Sequence, residues 1–198
     1  MAGDRGGVEL SDVPPGTWLN RGERVLYDSA WVKLVVADVV MPDGTQVDHH
    51  VVRMPREAAG TIMVREGRVL LMYRHRFITD TWGWEIPAGA IDAGESVEAA
   101  AIREAIEESG WEPTDMTPLC AFHPANGVLE QTFHIFLAHG ATQVGQPDIN
   151  EATRVEWYTP NEVRALLQAG EITDGLSFGG LTYALAMEVI DDPERSGV

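Results

Sequence analysis

The sequence is short of cysteine and of basic residues, and each shortage excludes a class of protein. Its one cysteine, Cys120, cannot form an internal disulfide, which argues against a small disulfide-stabilised scaffold. The 14 Lys and Arg residues stand against 31 Asp and Glu residues, so the formal net charge is −17. Nucleic acids and anionic membrane surfaces both attract basic patches. We therefore expect neither as a partner.

Long apolar runs are also lacking. No stretch approaches the about 20 apolar residues of a transmembrane helix. The N-terminus, Met-Ala-Gly-Asp-Arg-Gly-Gly, does not contain the apolar segment of a signal peptide. A cytoplasmic location is expected. The chain has 198 residues, of which 44% are hydrophobic, and this suits a globular domain with room for a small extension.

Local patterns divide the chain into four segments. Residues 1–23 are rich in Gly, Pro and Asp and are expected to form a flexible arm. Residues 24–54 contain two apolar stretches on either side of Pro42-Asp43-Gly44, which predicts a β-hairpin. Residues 55–190 mix strand and helix patterns, and residues 191–198 are expected to fray. The mixture predicts an α/β fold in which helices cover a mixed sheet, an α/β/α sandwich.

The helix predicted after Ser96 carries a cluster of acidic residues. At about 100° per residue, Glu107, Glu104 and Glu108 lie about 40°, 100° and 140° from Arg103 on the helical wheel. Arg103 can pair with Glu107, but the other two carboxylates lack a cation within the helix. This acidic face either faces solvent, as such runs commonly do, or binds a hard divalent ion through its oxygens.

The residues around this helix match a known motif. Gly89 is followed by five residues, Glu95, seven residues and then Arg103-Glu104-Ala105-Ile106-Glu107-Glu108-Ser109-Gly110-Trp111. These are the fixed positions of the Nudix box, so the segment resembles the Nudix hydrolases. The preceding Ile86-Pro87-Ala88-Gly89 is similar to the ADP-ribose pyrophosphatase branch of that family.

The resemblance implies a fold and an activity. The fold is the Nudix-type α/β/α sandwich, with residues 24–54 as a dimerisation element of a homodimer. The activity is metal-dependent hydrolysis of the pyrophosphate bond of ADP-ribose or a similar nucleoside diphosphate sugar, giving a nucleoside monophosphate and a sugar phosphate. Mg²⁺ is the expected cofactor, with Mn²⁺ as the alternative. An oxidised nucleotide or a dinucleoside polyphosphate remains open as substrate, as does a non-catalytic ADP-ribose-binding sensor.

The resemblance also implies roles for individual residues. The expected metal ligands are three carboxylates and one backbone carbonyl: Glu104, Glu107, Glu108 and Ala88. Glu95 and Arg103 are expected to hold the loop and helix together. The candidate substrate contacts are Arg74, Arg76, Trp31 and Gly89. A planar guanidinium can bind a phosphate through two hydrogen bonds, which suits the two arginines.

The general base has two candidates among the glutamates. Where the related enzymes are expected to carry a glutamate in a mobile loop, this chain has Gln131, with Glu130 one residue earlier. Glu130 is therefore the first candidate and Glu151, in a later loop, is the second. His123 and His134 can also accept protons, although a lone histidine near a strand is more often structural.

Overall fold

The computed structural model describes residue 9 and residues 13–190. The chain divides into two compact units: Met1–Pro55 with Ala125–Gln131, called unit 1 below, and Arg56–Pro124 with Thr132–Val198, called unit 2. Among the described residues, no helix is long and apolar enough to cross a membrane.

Unit 1 is a four-stranded sheet in the order β1-β2-β3-β9. Its strands are β1 (Leu19–Asp28), β2 (Lys33–Val40), β3 (Gln46–Arg53) and β9 (Leu129–Glu130). The first three are antiparallel, and the short β9 runs parallel to β3. The sheet therefore leaves β1 at one edge.

The N-terminal region differs from the sequence expectation. β1 begins at Leu19, so residues 19–23 belong to a strand and not to the expected arm. The hairpin expected around Pro42-Asp43-Gly44 is present as β2 and β3, and the end of β1 adds a third strand to residues 24–54. All residues of β1 after Leu19 are exposed, so its sequence lacks the apolar alternation that marks a half-buried strand. Backbone pairing with β2 stabilises it instead. The other expected arm residues, 1–8 and 10–12, and the expected tail, 191–198, lie outside the described residues.

Unit 2 contains a mixed sheet in the order β11-β5-β4-β10-β8. Its strands are β4 (Ala58–Arg65), β5 (Arg68–Arg76), β6 (Thr81–Glu85), β7 (Ala88–Ala90), β8 (Trp111–Phe122), β10 (Phe133–Gln143) and β11 (Arg154–Tyr158). β10 is parallel to β4, whereas the other pairs are antiparallel. β6 pairs with β5, and β7 pairs with β4.

Helices cover both faces of this sheet. They are α1 (Val97–Ser109), α2 (Pro160–Ala169) and α3 (Gly175–Ala186). Successive side chains of a strand point to opposite faces. Ala59 and Met63 of β4 accordingly pack against buried alanines of α1, and Ile62 packs against Leu176 and Leu181 of α3. The α/β/α arrangement expected from the sequence is confirmed.

The limits of α1 follow from its capping residues. The Ser96 hydroxyl accepts a hydrogen bond from the Ala99 N–H at the start of the helix. Gly110 ends it in the left-handed conformation with φ 77°, where glycine has no steric penalty. These two local signals place α1 directly after the glycine-rich loop.

Candidate active site

Arg103 links the loop before α1 to the helix itself. Its Nε and Nη2 atoms donate hydrogen bonds to the Glu95 carboxylate, each at 3.0 Å, and Nη2 also donates to the Ala90 carbonyl at 3.0 Å. The guanidinium lowers the pKa of Glu95. The contact predicted between these two motif residues is present, and it fixes the loop against the helix.

The three carboxylates of the motif do not converge on one point. Glu104 accepts a hydrogen bond from Arg103 Nη1 at 2.7 Å, whereas the Glu107 side chain is 59% exposed and contacts the same nitrogen at 3.2 Å. Glu108 is buried. Within the described part of the chain, no three Asp, Glu, His or Cys side chains are close enough together to hold a metal ion. The helix therefore presents Glu104 and Glu108 inward and Glu107 outward.

Glu108 is the most enclosed of these acids. One carboxylate oxygen accepts the Ala88 N–H at 2.8 Å, and the other accepts Arg74 Nη1 at 2.7 Å. Burial raises the pKa of Glu108 to about 7, against the opposing effect of Arg74. Arg74 Nη2 also donates to Glu151. Arg74 thus joins the acidic helix to the loop that carries the second candidate base.

Gly89 permits a close approach between the loop and α1. A Cβ atom placed on Gly89 would lie far closer than 3.0 Å to all three atoms of the Glu104 carboxylate. Only glycine leaves room for that carboxylate in its present position. The Glu104 side chain is 15% exposed, and this burial raises its pKa.

An arginine–glutamate pair, Arg76 with Glu85, lies on the neighbouring strands β5 and β6. This pairing was not predicted. Arg76 Nε and Nη2 donate to the Glu85 carboxylate at 2.9 and 2.5 Å, and the Glu85 side chain is 4% exposed. Burial raises the pKa of Glu85. The sequence signal was the charged Glu85 between the apolar Trp84 and Ile86, immediately before the motif.

The segment that leads into the loop is held from the other face of the sheet. The Ile86 N–H donates to the buried Ser177 hydroxyl at 3.1 Å, and that hydroxyl donates to Asp174 at 2.8 Å. The Thr61 N–H donates to the Pro87 carbonyl at 3.1 Å. The start of α3 and strand β4 together position Ala88, whose carbonyl is an expected metal ligand.

Two predicted residues belong to unit 1. Glu130 accepts a hydrogen bond from Arg53, which also contacts Glu23. Its side chain is 63% exposed. Trp31 is 73% exposed in the turn between β1 and β2. Glu130, the first candidate base, thus has an arginine partner within its own unit.

The site in unit 2 carries more carboxylates than guanidinium groups. Two arginines donate hydrogen bonds to five acids: Arg103 donates to Glu95, Glu104 and Glu107, and Arg74 donates to Glu108 and Glu151. Hard divalent cations prefer such oxygen ligands. The donor chemistry therefore fits a divalent ion, and its binding requires side chains to exchange arginine contacts for the ion.

A loop held on a helix that bears buried carboxylates, next to strand arginines, is suited to hydrolysis of a phosphoanhydride. The model of the NUDIX domain family matches residues 54–176, and the chain belongs to that family. The resemblance to Nudix hydrolases inferred from the motif is confirmed, and the protein is an enzyme of this class.

Similar proteins place the chain near the ADP-ribose pyrophosphatases. It is 26% identical to an ADP-ribose pyrophosphatase of Bacillus subtilis over 83% of this chain and 91% of the relative. It is 42% identical to a CMP-5′-(N-acetyl-N-hydroxy-3-aminopropyl)phosphonate hydrolase of Streptomyces rubellomurinus over 82% of this chain and 80% of the relative.

A solved structure supports the fold. The crystal structure of an ADP compounds hydrolase matches 93% of this chain and 97% of its own chain with a TM-score of 0.77. At 19% identity, this likeness confirms the fold class alone.

Proposed function

We propose that the protein hydrolyses the phosphoanhydride bond of ADP-ribose or a similar nucleoside diphosphate sugar with Mg²⁺ as cofactor. The products are a nucleoside monophosphate and a sugar phosphate. The observation that carries the proposal is the placement of Glu108 against Ala88 and of Glu104 against Gly89. Arg74 contacts Glu108, and Arg76 lies on the same strand. Such a site offers carboxylate ligands for a metal ion and guanidinium groups for phosphate oxygens.

The metal is expected to bind through Glu104, Glu108 and the Ala88 carbonyl, with Glu107 as a further ligand. Mg²⁺, or Mn²⁺ in its place, would neutralise phosphate charge and lower the pKa of a bound water. Arg103 keeps the loop and helix in register through Glu95. Because positioning and electrostatics dominate phosphoryl transfer, this pairing is expected to support the reaction.

Glu151 is the base that the contacts favour over Glu130. Its carboxylate shares Arg74 with Glu108 and therefore belongs to the same polar network as the expected metal ligands. In the reaction it accepts a proton from the attacking water as the new P–O bond forms. The bridging P–O bond breaks, and the bridging oxygen leaves with the other product.

Substitution of the two glutamates tests this assignment. Glu151→Gln is expected to lower kcat at least about 100-fold, the scale of a lost general base, with an unchanged melting temperature. Glu130→Gln serves as the matched control and is expected to retain activity within about threefold. The reverse order of effects in steady-state kinetics would return the role to Glu130.

The 42% identity to the Streptomyces enzyme supports a second substrate class, a nucleoside monophosphate joined to a phosphonate. Both substrate classes contain a nucleoside 5′-phosphate linked through a phosphoanhydride. The second group, sugar phosphate or phosphonate, is what distinguishes them. We expect residues outside the motif to make that choice, because the motif is proposed to bind the part that the two classes share.

A substrate panel tests the proposed function. ADP-ribose, UDP-glucose, a CMP–phosphonate anhydride, 8-oxo-dGTP and a dinucleoside polyphosphate are incubated with the protein and Mg²⁺, and products are resolved by chromatography. Hydrolysis of ADP-ribose that EDTA abolishes and Mg²⁺ restores is the expected result. Binding of ADP-ribose without turnover of any compound would instead indicate a sensor.

We also propose a cytoplasmic homodimer in which unit 1 supplies the contact. β1 is an edge strand, and it exposes Val25, Leu26 and Tyr27. An edge strand with exposed apolar side chains readily pairs with another chain. Light scattering should give twice the chain mass of 21.7 kDa, and a monomer at micromolar concentration would contradict the proposal.

A further inference from the structure

Glu85 is a buried carboxylate to which the proposed reaction has so far assigned no role. It lies at the end of β6, opposite Met72 of β5, and its side chain is 4% exposed. Its two oxygens accept three hydrogen bonds from Arg76, with Nε at 2.9 and 3.2 Å and Nη2 at 2.5 Å. Arg74 Nε lies 4.0 Å from the same carboxylate.

The geometry points to Glu85 as a positioning residue that holds the Arg76 guanidinium ready to bind the substrate diphosphate. This inference rests on the proposed function and adds a residue to it. Glu85 itself does not contact substrate. Its effect on binding passes through Arg76.

The two strand arginines differ in what they can offer to a substrate. Arg74 is 11% exposed and donates through both terminal nitrogens to Glu108 and Glu151. Arg76 is 44% exposed, and its bonds to Glu85 use the Nε and Nη2 edge. A guanidinium has a second edge, Nη1 with Nη2, that can bind another oxyanion. Arg76 is therefore the arginine that remains able to contact phosphate oxygens.

Burial of the Glu85 carboxylate costs free energy, which favours a role for this residue other than stability. An ionised carboxylate removed from water is unfavourable unless it is paired and hydrogen-bonded. Replacing such a pair by apolar residues is often neutral or stabilising, so stability alone is a weak reason to keep it. The Glu85 carboxylate does, however, restrict the rotamers of the partially exposed Arg76. Arg76 therefore loses less conformational freedom when a ligand binds.

A double-mutant cycle separates positioning from a purely structural role. The probe is α,β-methylene-ADP with Mg²⁺, a diphosphate whose bridge cannot be hydrolysed, and its Kd is measured by calorimetry. Glu85→Gln and Arg76→Gln are each expected to raise Kd about tenfold, equivalent to about 1.4 kcal/mol. The double variant is expected to bind no more weakly than Arg76→Gln alone, because Glu85 acts only through Arg76. In turnover of ADP-ribose, Glu85→Gln should raise KM about tenfold and change kcat less than about threefold.

Two further variants control the experiment. Glu66→Gln removes the acid of an exposed pair with Arg65 on the β4–β5 turn and is expected to leave Kd unchanged. Glu85→Asp keeps the charge and should lose less affinity than Glu85→Gln. If Glu85→Gln does not fold, as judged by circular dichroism, the Asp variant replaces it in the cycle.

The inference and the proposed function can fail separately. Additive losses in the cycle, or an unchanged Kd for Glu85→Gln, would overturn the role of Glu85 even if ADP-ribose is hydrolysed. A wild-type protein that does not bind α,β-methylene-ADP would overturn it as well. If the cycle shows coupling but no panel compound is cleaved, Glu85 positions Arg76 in a binding site and the hydrolytic function is refuted.

Discussion

Substitution of Gly89 by alanine should lower the activity about 100-fold while leaving the protein folded. The new Cβ would lie far closer than 3.0 Å to the whole Glu104 carboxylate. Non-bonded carbon atoms pack at about 3.5 Å or more, so the carboxylate must retreat by about 1 Å. Glu104 is a side-chain terminus and moves more easily than backbone. The displacement therefore falls on an expected metal ligand.

The displacement should affect both the reaction rate and the stability, and each effect can be given a magnitude. Misplacing a reacting group by about 1 Å can lower the rate about 100-fold, or about 2.7 kcal/mol of transition-state stabilisation. The stability loss is limited to the Arg103–Glu104 hydrogen bond, about 1 kcal/mol. The assays are kcat/KM for ADP-ribose with Mg²⁺ and the free energy of unfolding in urea.

Gly175→Ala is the matched control, because a Cβ there meets no atom within 4 Å. Gly175 begins α3, so alanine should preserve activity and leave stability equal or slightly higher. A kcat/KM of Gly89→Ala within about threefold of the wild-type value would refute the reasoning. A crystal structure of that variant with Glu104 unmoved would do the same.

Two other predictions concern stability and assembly. Thr159→Ala removes the capping box that Thr159 forms with Glu162 at the start of α2, so the free energy of unfolding in urea should fall by about 1 kcal/mol; no loss would mean that solvent replaces the cap. Val25→Glu places a charge on the exposed edge strand β1, and light scattering should then give the monomer mass of 21.7 kDa. A dimer that persists would locate the contact elsewhere.

The ends of the helices are specified locally in the sequence. Ser96 and Gly110 mark the two ends of α1, and Thr159 with Pro160 marks the start of α2. Each signal needs only neighbouring residues, because a cap bonds to the backbone within the next turn. The Glu95–Arg103 contact was implied by the resemblance to the Nudix box.

The features that were missed depend on pairing between distant segments. In the pairing of β5 with β6, Glu85 lies opposite Met72 and Arg76 lies opposite Thr81. The Arg76 side chain nevertheless contacts Glu85, and no spacing rule specifies which arginine Glu85 meets. The link from Arg74 to Glu151 joins residues 77 positions apart. β1 was placed partly in the arm because its exposed side chains show no alternation. In each case the interaction that decides the structure is tertiary.

The hydrogen bond from Ile86 to Ser177 has a practical consequence for truncated forms of this protein. Ser177 lies one position beyond residue 176, where the match to the family model ends. A fragment that ends at residue 176 would contain every motif residue but would lack the Ser177 hydroxyl, which accepts the Ile86 N–H just before the motif. Expression of a minimal catalytic core should therefore extend through Ala186, the last residue of α3.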